Sequence, residues 1–170
     1  IQISGYTGVI DLNGFSFDAS TGGAANCTFA SGTINDSPGI SSISHTTSGL
    51  TRFSGTLFNT PINVTAAQVD FDGGTFNNPV TVTDNGSANV NGAGGCTFNS
   101  SFQVTNAGSG YFLMAQGSPD IFNGTVTLIN TSTSRIRIAY GAAGTQFNED
   151  IIVENSGGGV WIGENSGTST

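Results

Sequence analysis

Asp70 and Asp72 stand two residues apart in Gln68-Val69-Asp70-Phe71-Asp72. On a strand that spacing puts both carboxylates on one face, about 7 Å apart. Such a pair suits an inverting glycoside hydrolase, whose acid and base flank a water. It also suits a Ca²⁺ site completed by the side-chain oxygens of Asn89 and Asn91. The stretch offers no Lys, Arg or His partner to tune proton transfer, so solvated acids are the simpler account. His45, the single histidine, lies among Ser44, Thr46 and Thr47. No Gly-x-Ser-x-Gly elbow accompanies it, so nucleophilic catalysis is not expected there. Glu149, Asp150 and Glu154 read as an exposed acidic group. No catalytic residue and no cofactor are expected, and Asp70 with Asp72 is the one candidate for a metal.

The elements that would position these residues are written in a repeat. Phe58-Asn59, Phe76-Asn77, Phe98-Asn99, Phe122-Asn123 and Phe147-Asn148 are each followed at a fixed offset by an apolar pair. The pairs are Ile62/Val64, Val80/Val82, Phe102/Val104, Val126/Leu128 and Ile151/Val153. A constant internal offset with variable spacing between units marks stacked coils whose corners alone change length. Each apolar pair alternates with outward residues, the period-two pattern of a strand. Corners after these strands carry Asp84-Asn85-Gly86, Asn106-Ala107-Gly108, Asn130-Thr131-Ser132 and Asn155-Ser156-Gly157, residue types that tolerate a left-handed backbone. The expected fold is all-β: a single-stranded parallel β-helix, or β-solenoid, of about seven coils. Coils of roughly 18–29 residues would make a rod about 34 Å long, right-handed by the usual crossover preference.

Residues 1–170 read as one solenoid segment, regular at 58–165 and irregular at 1–57. Phe29 to Phe58 is too long for one coil, so an insertion is expected near 30–50, around Asp36-Ser37-Pro38-Gly39. Both ends read as cuts through a longer repeat protein. In the expected register Phe112, Arg137 and Trp161 are outward residues of three successive coils, stacked at ~4.8 Å as an aromatic and cationic strip. Arginine between aromatic rings gives cation-π contacts that stabilise the stack, and the same strip could hold a sugar ring. Cys27 and Cys96 each precede a Phe by two residues. About three coils would separate them by roughly 14 Å, too far for a disulfide, so two buried, unpaired thiols are expected.

Composition narrows the partners. Charged residues make up 8% of the chain, there is no lysine, and three arginines face eleven carboxylates for a net charge of −8. Nucleic acid is an unsuitable partner, because binding it needs clustered cations to displace counterions. No apolar run reaches the ~20 residues that span a bilayer, so membrane insertion is not expected.

The segments Phe122-Asn123-Gly124-Thr125-Val126-Thr127-Leu128 and Ile138-Ala139-Tyr140-Gly141-Ala142-Ala143-Gly144-Thr145-Gln146-Phe147-Asn148 resemble the Phe-Asn-Gly repeats of very large secreted surface proteins of Bacteroidota. Ile10-Asp11-Leu12-Asn13-Gly14-Phe15 is similar to the first coil of such regions. The resemblance implies a type IX-secreted, extracellular adhesin-like or filament-forming protein with parallel β-helix segments. The expected function is therefore a non-enzymatic structural or adhesive segment at the cell surface, with self-association into a fibre or surface glycans as partners. Two alternatives belong to other classes. One is a carbohydrate-binding or polysaccharide-processing β-helix. The other is an ice-binding solenoid, for which the outward pairs Asn63/Thr65, Thr81/Thr83 and Gln103/Thr105 form a broken threonine array.

Overall fold

In a computed structural model the chain winds as a parallel β-solenoid; residues 2–20, 26–37, 39 and 41–164 are described. Coil one holds β1 (Gln2–Ser4), β2 (Val9–Asp11) and β3 (Phe17–Asp18), and coil two β4 (Cys27–Ala30), β5 (Thr33–Asn35) and β6 (Ile43–Thr46). Coil three holds β7 (Leu50–Ser54), β8 (Thr56–Asn59) and β9 (Ile62–Ala66), and coil four β10 (Gln68–Phe71), β11 (Gly74–Phe76) and β12 (Val80–Asp84). Coil five contributes β13 (Cys96–Phe98) and β14 (Phe102–Asn106); coil six contributes β15 (Phe112–Leu113), β16 (Ile121–Phe122) and β17 (Val126–Asn130). Coil seven holds β18 (Arg135–Ile138), β19 (Gln146–Phe147) and β20 (Ile151–Asn155), and β21 (Gly159–Ile162) opens the next winding.

Three faces result. Seven strands from β2 to β19 form the Phe face, and seven from β3 to β20 form the face of apolar pairs, about six full windings from first strand to last. The third face runs β1-β4-β7-β10 and resumes as β15-β18-β21. Between its halves, Val90 and Gly92 donate backbone hydrogen bonds to Tyr111 and Leu113, which carries the ladder across coil five. All strand pairs are parallel.

Aromatic side chains fill the interior. Phe58, Phe76, Phe98, Phe122 and Phe147 are paired residue to residue, with successive ring centroids 4.8–5.1 Å apart and planes within 8° of parallel. A second column, Phe29, Phe53 and Phe71, stacks at 5.6 and 5.3 Å and meets the first edge-on. Stacking within a column and edge contacts between columns are the two arrangements that the ring quadrupole favours. Asparagine binds the outside of the same coils: Asn59, Asn77, Asn99, Asn123 and Asn148 each donate from Nδ2 to Oδ1 of the preceding ladder member, beginning with Asn35, at 2.6–2.8 Å. The Phe-Asn step thus supplies one core residue and one inter-coil bond per winding.

The Phe step is itself a strand, so each coil has three sides. Three sequence expectations change. Phe29 lies opposite Phe53 on the third face, whereas the column of Phe58 continues back through Ile34 and Ile10, so Phe29 to Phe58 is not the span of one coil. Extra residues do lie at the expected corner: Asn35 to Ile43 is five residues longer than Asn59 to Ile62, although the ends of both paths are paired with each other. Pro38, named in the expected insertion, lies outside the described residues. Cys27 and Cys96 lie on different faces and are not equivalent, since Cys27 pairs with Thr51 and Cys96 with Gly74. Both are free, buried thiols, as expected. Finally, the path from Arg137 to Gln146 is one residue longer than the path from Leu113 to Ile121, although the ends of both are paired with each other. Leu113 therefore stands opposite Arg137, and Phe112 stands opposite Ile136.

Candidate functional site

The Asp70 and Asp72 pair already shares a cation. Arg52 lies opposite Asp70 in the β7–β10 ladder, and its Nη2 is 2.9 Å from Asp70 Oδ2 while its Nε is 3.2 Å from Asp72 Oδ2. Gln68 Nε2 donates to Asp70 Oδ1 at 3.1 Å, and the Ala93 amide donates to Asp72 Oδ1 at 2.9 Å. The absence of a basic partner inferred from local sequence is thus incorrect. Arg52 comes from the preceding coil, 18 residues upstream of Asp70, and only the pairing of β7 with β10 brings the two together. Asn89 and Asn91 turn their side-chain oxygens to the Tyr111 amide and hydroxyl, not to the aspartates. One guanidinium straddling two carboxylates takes up the oxygens and the negative field that Ca²⁺ would require. Among the described residues no group of three or more His, Cys, Asp or Glu could hold a metal ion.

His45 sits inside the solenoid, 1% exposed on β6, with Nδ1 2.7 Å from Thr51 Oγ1. Burial lowers its pKa and favours the neutral ring. It occupies the inward column continued by Val64, so it acts as a core residue with one satisfied nitrogen.

Two more carboxyls are buried. Asp84 ends β12, 1% exposed, in register with Asn106, Asn130 and Asn155. Burial pushes its carboxyl up to about 7, with the charge of Asp70 adding to the effect against a hydrogen bond from the Gly86 amide. Asp120 is fully buried, accepts from the Cys96 amide at 2.9 Å, and is likewise pushed up by burial to about 7. Asn106 and Asn130 donate from Nδ2 to backbone carbonyls of their own corner and the next coil. These polar groups hold corners together, and none opens to a cleft.

The outward columns on the face of apolar pairs are Ser44, Asn63, Thr81, Gln103, Thr127, Ile152 and Thr46, Thr65, Thr83, Thr105, Ile129, Glu154. Four threonines in line, Thr46 to Thr105, are the longest uniform run; Ile129 and Glu154 end it. A shallow depression beside it is lined by hydroxyls and amides such as Ser20, Thr47, Asn85 and Ser87.

The one place among the described residues where cations and exposed aromatics converge is the third face of coils six to eight. Arg137 is directly opposite Trp161, and its Cζ lies 5.3 Å from the Trp161 ring centroid, 5.2 Å from Tyr111 and 5.3 Å from Tyr140. Its Nε is 3.3 Å from Glu164 Oε2. Arg135 lies closer still to Trp161, with Cζ 4.2 Å above the ring. Of the three residues read from sequence as this strip, Arg137 and Trp161 come together as expected, while Phe112 does not. Phe112 is 1% exposed, turned into the core by the one-residue difference in the corner. Tyr111, Tyr140 and Arg135 are the members that sequence reasoning missed. Tyr111 could have been found from its place one residue before the misassigned Phe112.

No protein-family model matches the chain, and neither the curated proteins nor the solved structures compared with it give a match.

Proposed function

We propose that the chain is a non-enzymatic structural and adhesive segment of an extracellular surface protein or filament, in keeping with its resemblance to Phe-Asn-Gly repeat proteins of Bacteroidota. The observation that carries this reading is the unbroken side-chain ladder from Asn35 to Asn148 over a stacked Phe column. Side chains that repeat with the coil are spent on joining one winding to the next. The acids with catalytic spacing are tied up in the same way, Asp70 and Asp72 by Arg52. What varies is the outer surface, and there the cluster of Arg135, Arg137, Tyr111, Tyr140 and Trp161 has the character of a contact patch for glycans.

The test displays the chain on a non-adherent host cell and measures retention on glycan-coated surfaces, while the medium is assayed for reducing ends and unsaturated sugars. Retention without product supports the reading. Release of product, or no retention on any glycan, contradicts it.

A further inference from the structure

Two of the three cations are neutralised by carboxylates, Arg52 by Asp70 and Asp72, and Arg137 by Glu164. Among the described residues Arg135 has no acidic partner, although the chain carries eleven carboxylates. Its guanidinium lies 4.2 Å over Trp161, which is 41% exposed. The residue opposite Arg135 is Gly159. A Cβ built there would come within 3.1 Å of Trp161 Nε1, so the indole packs closely over the bare glycine and a methyl would displace it by a few tenths of an ångström.

We propose that Arg135 and Trp161, brought together over Gly159, form a subsite for a sugar that carries a single carboxylate, such as a terminal uronate. The proposal rests on the adhesive reading above and names the ligand class for its contact patch. Stacking fixes the plane of the guanidinium, so its outer N–H edge is a fork already oriented for the two oxygens of a carboxylate. The exposed remainder of the indole offers an apolar edge against which a pyranose can lay its C–H face. Little order has to be gained on binding, because Arg137 already contacts the rings of Trp161, Tyr111 and Tyr140. A net charge of −8 repels polyanions, which favours one short-range carboxylate contact over a highly charged polymer.

The experiment is calorimetric titration of the whole chain with a glucuronate-capped trisaccharide and with its methyl ester, which keeps the sugar and removes the charge. The acid is expected to bind at least ~10-fold tighter than the ester, a difference of about 1.4 kcal/mol. Arg135→Gln should abolish that preference, Trp161→Ala should weaken both ligands, and Gly159→Ala should weaken both without deleting a contact group. Unchanged circular dichroism confirms that each variant is folded. Equal affinity for acid and ester, full preference retained in Arg135→Gln, or no binding of the acid at about 10 mM, where even a contact of a few kcal/mol registers, overturns the proposal. If the displayed chain is still retained on neutral glycans in that case, the adhesive reading stands and only the acidic-sugar assignment fails.

Discussion

Phe98 and Phe122, one coil apart, lie face to face with ring centroids 5.0 Å apart and planes 3° from parallel. The next residues, Asn99 and Asn123, are joined by a 2.8 Å side-chain hydrogen bond on the outer surface. One dipeptide therefore builds both the inside and the outside of the rod, and each half makes a separable prediction.

Phe98 is 1% exposed and touches Phe71, Phe76, Phe102 and Phe122. Phe98→Ala removes a ring from the middle of the column and leaves a cavity between coils that cannot approach one another. The expected loss is about 3–5 kcal/mol in chemical denaturation.

Asn99 donates to Asn77 and accepts from Asn123, but it is exposed to water that would replace those bonds. Asn99→Ala should therefore cost only about 1 kcal/mol. A cost equal to that of Phe98→Ala in the same assay would mean that the ladder, not the aromatic column, dominates the stability of a coil.

The repeat was legible because Phe-Asn steps at fixed offset from an apolar pair survive changes in corner length. The corners were not. Ser31, Ala115 and Ala139 take φ values of 72°, 60° and 57° at the turn into the Phe face, where other coils use Gly55 or Gly73. A turn that accepts Ser, Ala or Gly and varies by a residue has no fixed signature. The register of the third face was therefore misjudged by one position, which put Phe112 outside and hid Tyr111 from the strip. The same ambiguity placed Phe29 in the wrong column. The thiols are unpaired and buried as expected, although the shared column behind that expectation does not exist, because Cys27 and Cys96 lie on different faces.

Glycines at the corners separate two effects. Gly55 has φ +66° and open space where a methyl would stand, so Gly55→Ala should cost about 1 kcal/mol from backbone strain alone. Gly108 has no such strain, but its Cβ would meet Gly86 O at 1.9 Å, between stacked coils. Gly108→Ala must push the windings apart, and an expected cost of about 3 kcal/mol or more follows in thermal or chemical unfolding.

Asp84 and Asp120 give the rod an unusual pH dependence. Their carboxyls ionise near 3.8 in an unfolded chain and near 7 in the fold. Between those values the folded chain holds the extra protons, so this contribution to stability is complete below 3.8 and is lost as pH rises through about 7. Asp11 and Asp18 act in the opposite sense, held low by hydrogen bonds with Ser37 and Ser20, but they are fully exposed and screened. The melting temperature should be higher at about pH 5 than at about pH 8. Asp84→Asn supplies the amide that Asn106 and Asn130 carry in the same column, and it should raise stability on the alkaline side and flatten the profile. A melting temperature independent of pH in the parent chain would contradict the burial of both acids.

The central claim is that windings superimpose in register, and distances between spin labels test it most directly. Cysteines introduced at Ser44 and, in turn, at Gln103, Thr127 or Ile152 lie on one outward column. The native Cys27 and Cys96 are buried, and burial raises both thiols, so the introduced sites label selectively. At ~4.8 Å per winding, the account predicts backbone separations of about 14, 19 and 24 Å, rising by one strand spacing per coil. Distances that fail to grow in that order, or that fold back as in two face-to-face antiparallel sheets, would contradict it.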